Sequence, residues 1–244
     1  MGGFIMSGLT NYVNDPEWGS YYELTNGGYY LAIIVMIIVI AIAALLISRK
    51  QDTGKFDTKK LACAGIALAL AFITSYIKFE LPMGGSVTLF SMFFICFVGY
   101  VFGIKVGLTT AFAFSILQFI QSGGSYFLSP FQICCDYFFA FTALGIAGFW
   151  YGKKNGLTKG YIAAALVRGL FHTIGGYIYW MDYMPDWFPK SLTSVYSIVY
   201  NYSYILTEMA VTLIIINIPA VKRAIERIKN QMSDAVPNPV IENQ

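Results

Sequence analysis

Residues 29–48 read YYLAIIVMIIVIAIAALLIS, with no charge, glycine or proline among them. About 20 such residues carry a helix across a ~30 Å hydrocarbon core. Arg49 and Lys50 follow at once and hold that end on the cytoplasmic side. The stretch begins too late, and lacks the basic leader, for a secretory signal. Six further apolar windows follow, at 61–79, 86–103, 106–121, 128–150, 160–180 and 192–218. The whole chain of 244 residues is 57% hydrophobic and only 12% charged, with mean hydropathy +0.61. A soluble domain carries about twice that charge. The expected fold class is therefore all-α, a polytopic membrane protein with about seven spans and no separate soluble domain. The turn at Gly103-Ile104-Lys105 is tight, which makes its two flanking windows the shortest.

Charge orients this bundle. Arg49, Lys50, Lys55, Lys59 and Lys60 share one loop, Lys105 marks the next turn on that side, and Lys153, Lys154 and Lys159 share the third. Lys222, Arg223, Arg227 and Lys229 follow the last span. The alternate loops carry Asp15, Glu17 and Glu23, then Lys78 with Glu80, then Asp182, Asp186 and Lys190. The positive-inside rule thus places the N-terminus outside and the C-terminus in the cytoplasm. A net charge of +3 is too small to indicate nucleic acid. Cys63, Cys96, Cys134 and Cys135 all fall in apolar segments and read as small packing residues, not a disulfide framework.

Four ionisable residues break the apolar pattern: Asp136, Arg168, His172 and Glu208. A polar group at bilayer depth is costly, so such residues face a protein-lined interior and bind or move something. Arg168 and His172, four apart, share a helix face that Gly175, Gly176, Tyr179 and Trp180 continue. That stripe has no evident packing purpose and resembles a recognition wall for a polar ring compound. By residue count Asp136 lies roughly 9 Å, and His172 and Asn201 roughly 12–15 Å, beneath the outer surface. Trp180 and Tyr196 sit at the mouth. Arg168 is one turn deeper, as floor or as a partner for Asp136 or Glu208. The plainer readings are an interhelical hydrogen bond for His172, a structural Asp136–Arg168 pair, interhelical glue for Asn201, and a membrane-interface role for Trp187. Glu208 reads as a structural partner for Arg168 or for a backbone donor.

Other chemistries lack their residues. No GxxxxGK[ST] is present to cradle a nucleotide, so energy has to come from partners. No HExxH appears, one histidine with lipid-embedded cysteines makes no zinc site, and no cofactor is expected. An intramembrane enzyme using Asp136 and His172 as acid and base is the alternative of another class, although no nucleophile–base pair is in view.

The segments LPMGGSVTLFSM (81–92), QICCDYFFAFTALGIAGF (132–149), RGLFHTIGGYIYW (168–180) and YSIVYN (196–201) resemble the thiamine-specific substrate-binding (S) component of energy-coupling factor (ECF) vitamin transporters. The resemblance covers roughly residues 60–220. It implies a six-helix core that binds thiamine at the outer face, with a membrane coupling (T) subunit and two cytoplasmic ATPase subunits as partners. It further implies that Asp136, Tyr137, Arg168, His172, Trp180, Tyr196 and Asn201 bind the substrate. Gly65, Ala67, Ala69 and Ala71, on the alanine-rich first core helix, are implied to dock the coupling subunit. A second tryptophan found in some members is replaced here by Gly84-Gly85-Ser86. The domain reading is an extracellular segment 1–28, an extra transmembrane helix 29–50, a cytoplasmic linker 51–60, the substrate-binding membrane domain 61–220 and a cytoplasmic tail 221–244. An S component for another vitamin or a thiamine precursor is the nearest alternative.

Overall fold

The computed structural model describes residues 8–16, 19–31, 34, 58–81, 85–123 and 127–234. Most of the apolar stretch 29–48, the linker 51–57, Gly84 and the end of the tail lie outside the described residues. An N-terminal hairpin pairs β1 (Thr10–Asp15) with β2 (Gly19–Leu24) antiparallel. Its last residue, Leu24, is buried against Ile178 and Tyr179. The bundle then comprises α1 (Thr58–Ser75), a short hairpin of β3 (Lys78–Glu80) and β4 (Ser86–Thr88), α2 (Ser91–Phe102) and α3 (Ile104–Gln121). It continues through α4 (Pro130–Trp150), α5 (Gly156–Tyr179), α6 (Tyr196–Ile216) and α7 (Pro219–Asp234). Helices α1 to α6 follow the apolar windows. Segments Thr58–Ser75, Ile104–Gln121, Pro130–Trp150 and Lys190–Ile216 are each long and apolar enough to cross a membrane. The chain is an all-α, multi-pass membrane protein.

Glycine sets the close packing of the bundle. Gly103, at φ 89° and ψ −179°, occupies backbone space reserved for glycine and is the whole connection between α2 and α3. Four residues to either side, Gly99 and Gly107 face one another, and a Cβ on Gly107 would stand 2.7 Å from the Gly99 Cα. Gly145 and Gly148 of α4 close the junction: their Cβ positions lie 2.6 Å from Leu108 Cα and 2.5 Å from Ile104 Cα. In lipid, helices associate by packing, and small residues let backbones meet.

Two expectations need correction. The window 86–103 is not helical throughout, because Ser86–Thr88 is a strand and the helix begins only at Ser91. Twelve helical residues rise about 18 Å, so α2 alone falls short of a ~30 Å core. The start is abrupt: Phe90 holds a left-handed φ of 63°, a conformation costing a non-glycine residue about 1–3 kcal/mol. The second correction concerns α1. Ala67 and Ala71 are buried among residues of α2 and α3, packing with Ala64, Phe97, Met92 and Phe114. Their side chains pack internally, since the 3.6-residue period turns them inward. Gly65 and Ala69 face outward, and Gly65 has nothing within 4 Å of its Cβ position.

The sequence after the last span is a helix. Val221, Ile225, Lys229 and Met232 form its half-buried face, with Ile225 and Met232 against the cluster of Ala64, Phe97 and Val101. Lys229 Nζ reaches the Tyr100 hydroxyl at 3.1 Å.

Candidate functional site

The site is built where α4 begins and α5 ends. Ser129 caps α4 by accepting from the Gln132 amide at 3.1 Å, with Pro130 as the first helical residue. Its hydroxyl also donates to the Tyr179 hydroxyl at 2.7 Å, tying the start of α4 to the end of α5. One turn on, Cys134–Phe139 winds as a π-helix. Such bulges re-aim side chains and concentrate at functional sites. Here the bulge carries Asp136.

The Asp136 carboxylate gathers three side chains. Gln132 Nε2 donates to Oδ2 at 2.6 Å and Trp180 Nε1 donates to the same oxygen at 3.1 Å. His172 Nδ1 lies 3.5 Å from Oδ1. On its other side the imidazole meets Arg168 Nε at 3.4 Å from Nε2. The histidine ring lies edge to face with Phe141 and Tyr204, centroids 6.3 Å and 6.2 Å away. The side chains of His172 and Asp136 stay 12% and 15% exposed, so this polar layer is not sealed within the core.

Helix α6 supplies the opposite wall. Asn201 is buried and donates through Nδ2 to the His172 carbonyl at 3.2 Å and to the Ser197 carbonyl at 2.8 Å. Its Oδ1 accepts from the Tyr204 hydroxyl at 2.9 Å. Tyr196, Tyr200 and Tyr204, four apart, form a ladder with centroids 5.9 Å from each ring to the next. Tyr196 also packs edge-on with Phe188 and donates to the Tyr183 carbonyl at 3.4 Å. Trp180 meets Tyr183 at 5.5 Å.

Six of the seven residues expected to bind substrate thus lie in one connected layer: Asp136, His172, Trp180, Arg168 and Asn201, with Tyr196 at its edge. Tyr137 does not join them. Its ring turns toward α3 and the segment before α4, contacting Phe119 and Phe127 at 5.7 Å and 6.1 Å. Arg168, expected as the floor or as a partner for Asp136 or Glu208, forms no ion pair with either, although its charge acts on Glu208. Its guanidinium lies 4.5 Å over the Phe141 ring, where a cation gains from the π face. Glu208 instead accepts from the backbone and hydroxyl of Thr88, at 3.2 Å and 2.8 Å.

The glycine stripe does have a packing purpose, contrary to the sequence reading. A Cβ on Gly175 would stand 2.8 Å from Asp136 Oδ1, and one on Gly176 would stand 2.2 Å from Ser197 Oγ and 2.9 Å from Asn201 Nδ2. Consecutive glycines, about 100° apart around the helix, therefore admit the polar side chains of α4 and α6 onto neighbouring sides of α5. Sequence reasoning missed Gln132, Ser197 and Tyr204. Gln132 lies four residues before Asp136 and Tyr204 three after Asn201, spacings that place each pair on one helix face.

These geometries have relatives. The family model for the thiamine transporter protein (Thia_YuaJ) matches residues 61–227. The thiamine transporter ThiT of Bacillus subtilis (strain 168) is 27% identical over 170 residues, covering 64% of this chain and 86% of that protein. The solved structure of ThiT from Listeria monocytogenes shares the fold, with TM-score 0.52 and 22% identity over 65% of this chain and 90% of that one. A solved structure of the S component of a bacterial ECF transporter aligns at TM-score 0.46 and 17% identity, covering 74% of this chain and 98% of that one.

Proposed function

This chain belongs to the thiamine transporter protein family, and we propose that it is the substrate-binding component of an ECF-type importer, capturing thiamine at the outer face. The family consists of transport proteins, so the intramembrane-enzyme alternative is set aside. ATP-driven uptake is assigned to partners, a membrane coupling subunit and two cytoplasmic ATPase subunits. The basic loops orient the bundle with its N-terminus outside, which puts the layer of Asp136 and His172 on the extracellular side.

One observation carries the reading. A carboxylate at the bulge of α4 faces an imidazole, an indole N–H and an amide layer contributed by two other helices. Thiamine is a flat organic cation with an aminopyrimidine ring and a hydroxyethyl arm. Asp136 neutralises the cation or accepts from the exocyclic amine. Trp180 and the α6 tyrosines supply π faces, worth about 2 kcal/mol for a desolvated cation. Asn201 Oδ1 and the Tyr196 hydroxyl offer the acceptor and donor a pyrimidine edge needs. Arg168 forms the floor, and Tyr137 bounds the layer from the side of α3. The outward small residues Gly65 and Ala69 are the proposed docking face for the coupling subunit.

Tryptophan fluorescence of the detergent-purified protein titrated with thiamine is the test. Quenching at nanomolar ligand, lost in Asp136→Ala and Trp180→Ala, is the expected result. No response up to millimolar thiamine removes the assignment, and stronger quenching by another vitamin or by a thiamine precursor redirects it.

A further inference from the structure

The connection between α1 and α2 breaks a rule of membrane proteins unless something inside the bundle repairs it. Because α2 begins only at Ser91, residues 85–90 run as strand and bend at a depth where the neighbouring helices continue. Glu208 lies twelve residues along α6, about 18 Å from its first turn. Irregular backbone at such depth persists only where protein groups satisfy its polar atoms. The hairpin supplies some partners itself: Leu81 N–H donates to the Gly85 carbonyl at 2.8 Å, and Leu89 N–H to the Ile77 carbonyl at 3.0 Å. Thr88 N–H points away from β3, and Glu208 Oε2 receives it together with the Thr88 hydroxyl.

Thr88 and Ser91 hydroxyls lie 2.6 Å apart, so the carboxylate also reaches the first residue of α2. Phe90, between them, is the left-handed residue. Glu208 is 3% exposed, and besides Thr88 its carboxyl faces the Met92 backbone amide and the charge of Arg168. It belongs to no ion pair among the described residues. Charge at bilayer depth is costly, and this carboxyl is directed at the start of α2, at the amides of Thr88 and Met92 and the Thr88 hydroxyl.

From here a chain of contacts leads to the site. Gly85, just before the strand that Thr88 ends, sits directly on Tyr204, where a Cβ would stand 2.2 Å from Cδ1. Val87, Tyr204 and Ile205 are buried together with Ala165. The Tyr204 hydroxyl then fixes Asn201, and its ring flanks His172. We propose that Glu208 is a positioning residue of the binding site: it pins the end of β4 where it joins α2, and residues 85–88 hold Tyr204 and so orient Asn201 and His172. Glu208 itself touches no ligand. This rests on the proposed thiamine site for its binding consequence, but not for the pin.

Two measurements on the full chain in detergent or nanodiscs separate these. Amide hydrogen exchange of residues 85–90 without ligand reads the pin directly. In Glu208→Ala it rises at least about tenfold, and in Thr88→Val, which keeps the amide but loses the hydroxyl, by about threefold to tenfold. Glu208→Gln, which keeps an acceptor oxygen, restores the native rate to within about threefold. Thiamine dissociation, read by fluorescence, accelerates in the same order while association changes little. Unchanged exchange at 85–90 in both Glu208→Ala and Thr88→Val overturns the proposal. So does faster exchange with unaltered thiamine dissociation, because the pin then fails to reach the site. Should wild-type protein not bind thiamine, the functional reading fails, and the exchange data still decide for or against the pin.

Discussion

Glycines converge at two places in this bundle, and their neighbours differ. Around Gly99, Gly107, Gly145 and Gly148 a Cβ would strike backbone: Cα atoms, amide nitrogens and carbonyls of the adjoining helices. Around Gly175 and Gly176 it would strike the ends of polar side chains, Asp136 Oδ1, Ser197 Oγ and Asn201 Nδ2. The first cluster welds three helices together. The second makes room for chemistry. The same residue type thus marks rigidity in one place and a place for function in the other, and only the atoms opposite tell them apart.

The sharpest way to break this contrast is a larger residue at the weld. We predict that Gly145→Val costs about 3 kcal/mol or more, since rigid backbone on α3 cannot move aside as a side chain can. Thermal unfolding in detergent should show a lowered midpoint or loss of monodisperse protein. A native midpoint would mean that the junction is looser than the 2.6 Å approach implies.

Next in size is the matched change at the site. Gly175→Ala puts a methyl against Asp136 Oδ1, and a carboxylate can turn where backbone cannot. We expect thiamine affinity to fall roughly tenfold, about 1.4 kcal/mol, with the unfolding midpoint shifted by only a few degrees. Titration calorimetry beside a melting curve distinguishes the cases. Equal loss of stability at Gly145 and Gly175 would erase the distinction between weld and site.

A third pair lies on α1, where inward and outward small residues alternate. Ala71→Leu overpacks a fully buried position and should cost about 1–3 kcal/mol. We predict that outward Ala69→Leu leaves stability and thiamine binding unchanged while cellular uptake falls. Uptake at the native level in Ala69→Leu would remove this face as the docking surface.

Legibility followed the physics of each signal. Span positions came through because a hydrocarbon core demands long apolar windows, and α1, α3, α5 and α6 lie within a few residues of theirs. The grouping of Asp136 with His172 was legible because buried ionisable residues need partners. What stayed hidden depended on partners distant in sequence. Nothing local shows that Thr88 needs Glu208, 120 residues later, or that Gly176 yields to Ser197. The π-helical turn of Cys134–Phe139 is likewise silent in an apolar string. The orientation of Tyr137 was hidden for that reason, since its ring meets Phe119 on the side of α3. The inward turn of Ala67 and Ala71 needed the helix phase, which an alanine-rich face with small side chains all round does not reveal.

The smallest expected effect sits at the welded end, where α7 returns to the bundle. Tyr100 packs close to Gly156, whose Cβ position is 2.9 Å from its Cε2, and Lys229 lies 4.8 Å over its ring while donating to its hydroxyl. Tyr100→Phe keeps the ring for the cation and removes one half-buried acceptor. We predict a loss below about 1 kcal/mol, no change in thiamine affinity, and faster amide exchange confined to α7. If α7 were a passive appendage, exchange there would not respond. If the weld reached the site rigidly, affinity would drop as well, and the two glycine clusters would be one mechanical unit instead of two.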